Sequence, residues 1–263
     1  MSICKGINNL IDQHLGVTHP AIEKSSPHYG HKTSCLKLQA QPVQFNMENM
    51  IETMVSCIES NWKQSPRRQT AAKISTENWR FTKQQYITEN NPSLEKQLEK
   101  AIVQQTNDDW VNQVPTASGL YNATHDKHRN IDLVHQITSK QYEFIELKFK
   151  SDTPLKAAIE VLLYGVLYVF ARLHPNTYDK THKLLKAEKI HLCVLAPYFY
   201  YEPYQLKWLT PAFNAGLQAY LANQNFNLKM DFQFKAFPSD FIWPCEEKDL
   251  LTALGEITIV NWS

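Results

Sequence analysis

The segment Tyr142-Glu-Phe-Ile-Glu-Leu-Lys-Phe-Lys150 alternates as a β-strand does, and it carries charges of both signs. In an extended chain Ile145, Leu147 and Phe149 share one face while Glu146 and Lys148 share the other. An acid and a base two residues apart then stand about 7 Å apart along that face. Upstream, Asp132 lies in a second extended stretch. With Thr138, Ser139 and Lys140 as the loop, antiparallel pairing sets Asp132 opposite Glu146, their Cβ atoms about 4.5–5.5 Å apart. Two carboxylates that close repel unless a cation lies between them, and a hard divalent ion with oxygen ligands satisfies both. Lys148 beside such an ion could orient or deprotonate a water, or stabilise charge developing on a phosphate. The trio alone is ambiguous, because Glu-x-Lys on an exposed strand is often no more than an ion pair.

The surrounding pattern supplies elements able to position it. Asn91-Pro92 reads as a helix start, with Leu94, Leu98, Ala101 and Ile102 as the apolar face that follows. Strands are expected at 117–123, 130–137 and 142–149, separated by the polar turns His125–Arg129 and Thr138–Gln141 as in an antiparallel meander. Thr153-Pro154 opens a helix running to about Arg172, and the apolar run from Ile190 to Ala196 suits a buried strand. A helix over about 211–223 and a strand over about 228–237 complete the order α-β-β-β-α-β-α-β. Ahead of this unit, Met50, Ile51, Met54, Val55 and Ile58 form one helical stripe within 47–60. Residues 1–45 show only weak periodicity. The chain therefore divides into a helical and basic N-terminal lobe, 1–90, and an α/β domain, 91–263.

In letters and in order of elements the second part resembles the PD-(D/E)XK nuclease superfamily, the restriction-endonuclease-like and RecB-like nuclease core. Ile131-Asp132 stands where that family has Pro-Asp, and Glu146-Leu147-Lys148 is its (D/E)-x-K. The helix Ser93–Ile102 is similar to the family's first helix, which brings another acid to the metal; Glu95 fits that role best and Glu99 second. Ala157–Gly165 resembles the segment that carries Gln-x-x-x-Tyr, here with Glu160 in place of Gln and Tyr164 four residues on, on the same helix face. Both are assigned to the cleft. The strand His191–Pro197 is similar to the family's fourth core strand. The resemblance implies an α/β fold with a central mixed sheet flanked by helices, plus the smaller, mainly helical N-terminal region. It implies phosphodiester hydrolysis with Mg²⁺ or Mn²⁺, the ion held by Asp132, Glu146 and the backbone carbonyl of Leu147, with Lys148 serving the attacking water. DNA is the expected substrate; a module that keeps the fold and binds without catalysis is the alternative.

Composition excludes much else. The 263 residues carry 27 basic and 26 acidic side chains, a net charge of +1. The seven glycines, at 6, 16, 30, 119, 165, 216 and 255, cannot form a phosphate-cradling GxGxxG or GxxxxGKS loop, and neither HExxH nor GxSxG occurs. Five cysteines, odd in number and never spaced CxxC, argue against a disulfide framework or zinc ribbon and for a reducing, cytoplasmic setting. A zinc site built from His28, His31 and Cys35 with Cys4 and His14 matches no structural zinc spacing. The first residues lack a signal-peptide core, and the apolar stretch Ala157–Ala171 is too short for a membrane span, so no membrane partner is expected.

Charge is nevertheless concentrated. Lys63, Arg67, Arg68, Lys73, Arg80 and Lys83 face a single acid, Glu77, across 63–83, with Trp62, Trp79 and Phe81 interspersed. Such a segment could bind phosphates and stack on bases, or it could be a linker whose tryptophans dock it. His125 and His128 could touch phosphate, and Tyr198–Tyr201 could stack or pack. A homodimer is compatible with this reading.

Overall fold

Thr153 has extended backbone and its side chain accepts a hydrogen bond from Lys156 N, with Pro154 in the first turn; together they start a helix, Pro154–Leu173. Fifteen of its twenty residues are buried, and it is the central helix of the molecule. The computed structural model describes residues 2–17, 27–70, 74–84, 91–122, 126–179 and 181–262. Among them the helices are α1 (Ile7–Leu15), α2 (Lys32–Lys37), α3 (Met47–Lys63), α4 (Pro66–Gln69), α5 (Leu94–Gln105), α6 (Pro154–Leu173), α7 (Leu209–Ala222) and α8 (Glu247–Gly255). The strands are β1 (Trp110–Pro115), β2 (Asn130–Thr138), β3 (Gln141–Leu147), β4 (Lys189–Ala196), β5 (Lys229–Ala236) and β6 (Thr258–Ile259).

These strands form one mixed six-stranded sheet in the order β1-β2-β3-β4-β5-β6. β1, β2 and β3 run antiparallel, β3, β4 and β5 run parallel, and β6 returns antiparallel at the edge. Parallel neighbours need crossovers, and α6 and α7 supply them. Helices α1, α3, α6 and α7 pack over one face in a large apolar core; α5 and α8 cover part of the other with a smaller one. The fold is thus α/β, a mixed sheet flanked by helices.

Close approach of helices depends on two glycines. A Cβ on Gly165 of α6 would lie 2.8 Å from a Leu192 methyl on β4. One on Gly216 of α7 would lie 2.4 Å from Met47 Cγ and 2.8 Å from the Glu48 backbone N. Backbone cannot swing aside as a side-chain tip can. Gly216→Ala is therefore expected to destabilise by about 1–3 kcal/mol despite alanine's better helix propensity, read as a lowered urea midpoint at unchanged slope.

Several expectations shift. The first strand is at 110–115, not 117–123; within the latter stretch 117–122 form turns, and residue 123 lies outside the described residues. Helix α5 is capped by Ser93, whose Oγ accepts from Lys96 N, while the Asn91 side chain caps the turn ahead of it. At 20 residues α6 is long and apolar enough to cross a membrane, which corrects the shorter span read from sequence; 83% of its most apolar window is buried within the fold. The boundary expected near residue 90 lies outside the described residues, and Ile3, Ile7, Ile11, Met50, Met54 and Ile58 share one core with α6 and the sheet.

Candidate active site

The β2–β3 hairpin pairs Leu133 with Ile145 and Val134 with Phe144, so Asp132 stands level with Glu146 at the end of β3. Leu133, Ile145, Leu147 and Phe149 enter the smaller core, while Val134 and Phe144 enter the larger one. The alternation directs Asp132, Glu146 and Lys148 toward the α6 side. Leu147 N donates to Asp132 Oδ2 at 3.2 Å, which brings the Leu147 backbone to this carboxylate.

Lys148 is the hub. Its Nζ donates to Glu146 Oε1 at 2.6 Å and lies 3.8 Å from Asp152 Oδ2. Glu160 Oε2, from α6, stands 3.2 Å away as an ion pair without hydrogen-bond geometry. Lys156 joins Asp152 at 2.8 Å and Glu160 at 3.7 Å. Glu146 and Lys148 are only 4% and 6% exposed, and Glu146 Oε2 is buried with no hydrogen-bond partner. Burial first, and then the neighbouring Asp132, push the Glu146 carboxyl well above the usual range, with Lys148 offsetting only part. Burial alone would lower the Lys148 pKa, but Glu146, Glu160 and Asp132 outweigh it and the net shift is upward. Lys148 is an ammonium here, suited to donating hydrogen bonds and screening negative charge rather than to taking a proton.

A second carboxylate group adjoins the first. Lys96 Nζ lies 2.7 Å from Glu99 Oε2 and 2.9 Å from Asp132 Oδ1. Asn112 and Gln113, both on β1, donate to Glu99 at 2.9 and 3.0 Å. Gln113 has φ 48 and lies between the Asn112–Leu133 and Val114–Ile131 pairs, level with Asp132. That left-handed backbone is uncommon for glutamine. Glu95, the acid favoured from sequence as a further ligand, is instead bonded to Phe149 N (3.2 Å) and to the Ser151 hydroxyl. The acid of α5 that shares a partner with Asp132 is Glu99, one turn on. Tyr164 is half-buried beside these acids, and burial, followed by Glu146 and Asp132, raises its pKa so that its hydroxyl stays protonated.

Among the described residues no three His, Cys, Asp or Glu side chains are placed as a ready metal cage. The donor chemistry still suits a hard cation. Mg²⁺ characteristically takes one or two carboxylates and completes its shell with water and substrate phosphate. Asp132 and Glu146 supply two, and the unpartnered buried Glu146 Oε2 is an oxygen that gains a partner when a cation binds.

The basic segment is less free than its composition implies. Arg80 donates to the carbonyls of Thr82 (2.7 Å) and Gln113 (2.8 Å) and pairs with Glu77 at 3.0 Å. Lys83 donates to Thr106 O at 2.7 Å. Both staple the chain along β1 and α5, which corrects their assignment as phosphate contacts. Trp62 packs on Phe170, and Trp79 is fully buried against Phe144 and Tyr168, so neither can stack on bases. Lys63 and Arg68 are exposed, Arg67 is partly so, and Lys73 lies outside the described residues, as does His125. Tyr200 and Tyr201 are buried, the latter donating to Val194 O and Lys235 O.

Sequence reasoning missed Lys96, Asn112, Gln113, Asp152 and Lys156. Lys96 was within reach, since it stands three residues before Glu99 on a helix. Gln113 was hidden by the misplaced first strand. No protein-family model, no curated protein and no solved structure matches this chain.

Proposed function

We propose that this protein is a metal-dependent nuclease that hydrolyses phosphodiester bonds in DNA on a restriction-endonuclease-like core. The observation that supports this reading best is the meeting of Asp132, Glu146 and Lys148 on one side of the β2–β3 hairpin, with a buried Glu146 oxygen left without a partner. Asp132 and Glu146 would hold Mg²⁺ or Mn²⁺. Such an ion supplies Lewis acidity, an activated water and a template for the reacting phosphate. Lys148 Nζ, held as a cation by its acids, donates to the water or to a phosphate oxygen. Glu160 and Tyr164 line the α6 side, Tyr164 as a neutral hydroxyl donor.

The specific observation favouring a second reading is that two lysines already compensate the key acids: Lys148 for Glu146 and Lys96 for Asp132. A fold closed by its own salt bridges would serve as a nucleic-acid-binding or assembly module without catalysis. Incubation with linear duplex, circular duplex and single-stranded DNA and with RNA, under Mg²⁺, Mn²⁺ or EDTA, separates the two. Cleavage that requires the metal upholds the nuclease. Retention of nucleic acid with no cleavage under either metal selects the module.

With Arg80 and Lys83 committed internally, Lys63 and Arg68 are the exposed basic side chains among the described residues of the segment. Lys63→Ala with Arg68→Ala should weaken DNA binding equally across sequences and flatten log K against log salt by about two units. An unchanged slope would return the segment to a purely structural role.

A further inference from the structure

We propose that Lys96 is a resident cation that closes the Asp132–Glu99 carboxylate pair to a second divalent ion, so that the site admits metal only on its Glu146 side. The inference rests on the metal-dependent reading above and deepens it. Asp132 is the acid common to both sides. Its Oδ2 accepts from Leu147 N on β3, while its Oδ1 faces Lys96 on α5. The Lys96 ammonium bonds to Glu99 and Asp132 within 3 Å, so both carboxylates reach a single point.

That point is built rather than incidental. Glu99 is 1% exposed, and each of its oxygens is satisfied, by Lys96 and by the amides of Asn112 and Gln113. Gln113 adopts left-handed backbone and sets its amide 3.0 Å from Glu99 and 3.5 Å from Asp132. The contrast with the neighbouring side is chemical. There a buried carboxylate oxygen, Glu146 Oε2, has no partner, whereas here none of the Glu99 oxygens is left over. Glu146 and Glu99 flank a shared Asp132, so the three carboxylates offer a pair of anions on each side of Asp132, one side for each of two cations. A lysine in the second position supplies positive charge toward Asp132 without a second ion. Its side chain remains about one-third exposed, so it reaches the pair from solvent.

Removing the ammonium should therefore create a binding site. Mn²⁺ alone is counted by calorimetry and by electron paramagnetic resonance on the full chain without nucleic acid. Lys96→Met is expected to bind one ion more than the parent, and Lys96→Arg no more than the parent. The added ion should vanish in Lys96→Met combined with Glu99→Gln. Equal counts in Lys96→Met and the parent would overturn the proposal. If Lys96→Met does not fold, Glu99→Gln in the parent background decides. It should bind Mn²⁺ with the parent's affinity, and a loss of tenfold or more would mean that Glu99 already holds the ion. A parent that binds no Mn²⁺ would count against the metal-dependent reading, while an ion gained on loss of Lys96 would still uphold the role assigned to that residue.

Discussion

Lys148→Met is expected to lose about 3–5 kcal/mol of folding stability at neutral pH, far more than its modest change of volume suggests. Methionine keeps most of the aliphatic stem, so packing against the sheet is largely retained. What disappears is the only ammonium bonded to Glu146 among the described residues, together with the charge facing Asp152 and Glu160. Glu146 is 4% exposed and already has one oxygen without a partner. Without Lys148 its charge would be buried and uncompensated, the costliest way to break a buried pair. The pH dependence follows from the sign. Burial and Asp132 raise the Glu146 pKa above its ordinary value of 4.5, so its contribution is favourable below that value and is lost as pH rises through the folded-state pKa. Losing Lys148 raises that folded-state pKa further. Denaturant midpoints of variant and parent should thus converge as pH falls toward 4.5 and diverge toward pH 7. Adding Glu146→Gln to Lys148→Met should recover much of the loss, since the double variant leaves no stranded charge at this position. A parallel offset at every pH would assign the effect to packing.

The same lysine shows how far the sequence could be read. Alternation in 145–149 was enough to place Glu146 and Lys148 on one face, because Ile145, Leu147 and Phe149 claim the other and a one-residue slip would exchange the two sets. The hairpin fixed the level of Asp132 for the same reason. α6 was legible from its Thr-Pro start and its unbroken apolar run. β1 was not, because Asn112 is fully buried and paired with Glu99, so a polar letter occupies a core position and the period-2 signal fails. The two-residue β6 leaves too few positions for periodicity to register. At the site, Glu95 and Glu99 share one face of α5, so the choice between them turned on which turn of that helix meets β1, and that depends on tertiary contacts rather than on spacing. The basic segment misled for a related reason: a guanidinium that caps carbonyls, as Arg80 does, cannot be told by letter from one that waits for phosphate.

Under the proposed nuclease function, Asp132→Asn and Glu146→Gln should each lower metal-dependent cleavage by about three orders of magnitude or more, about 4 kcal/mol of transition-state stabilisation. Loss of an outer-shell partner of a metal site typically costs 10–100-fold, and removal of a direct carboxylate ligand should exceed that. Both changes keep shape and hydrogen-bonding capacity while deleting the charge that would hold the ion. Their stability should differ in a telling way. Glu146→Gln relieves a desolvated charge but weakens the closest partner of Lys148, so its midpoint should move little. Asp132→Asn weakens the hold of Lys96 while leaving that lysine its bond to Glu99. The control is Glu143→Gln on the same strand. Glu143 faces the opposite side of the sheet, near His135 and Lys235, and has no contact with Lys148. Cleavage by Glu143→Gln at the parent rate, beside inactive and well-folded Asp132→Asn and Glu146→Gln, would tie the chemistry to one face of one hairpin. Parent-like rates in all three would remove the site from this face and leave Asp132, Glu146 and Lys148 as a buried ion network.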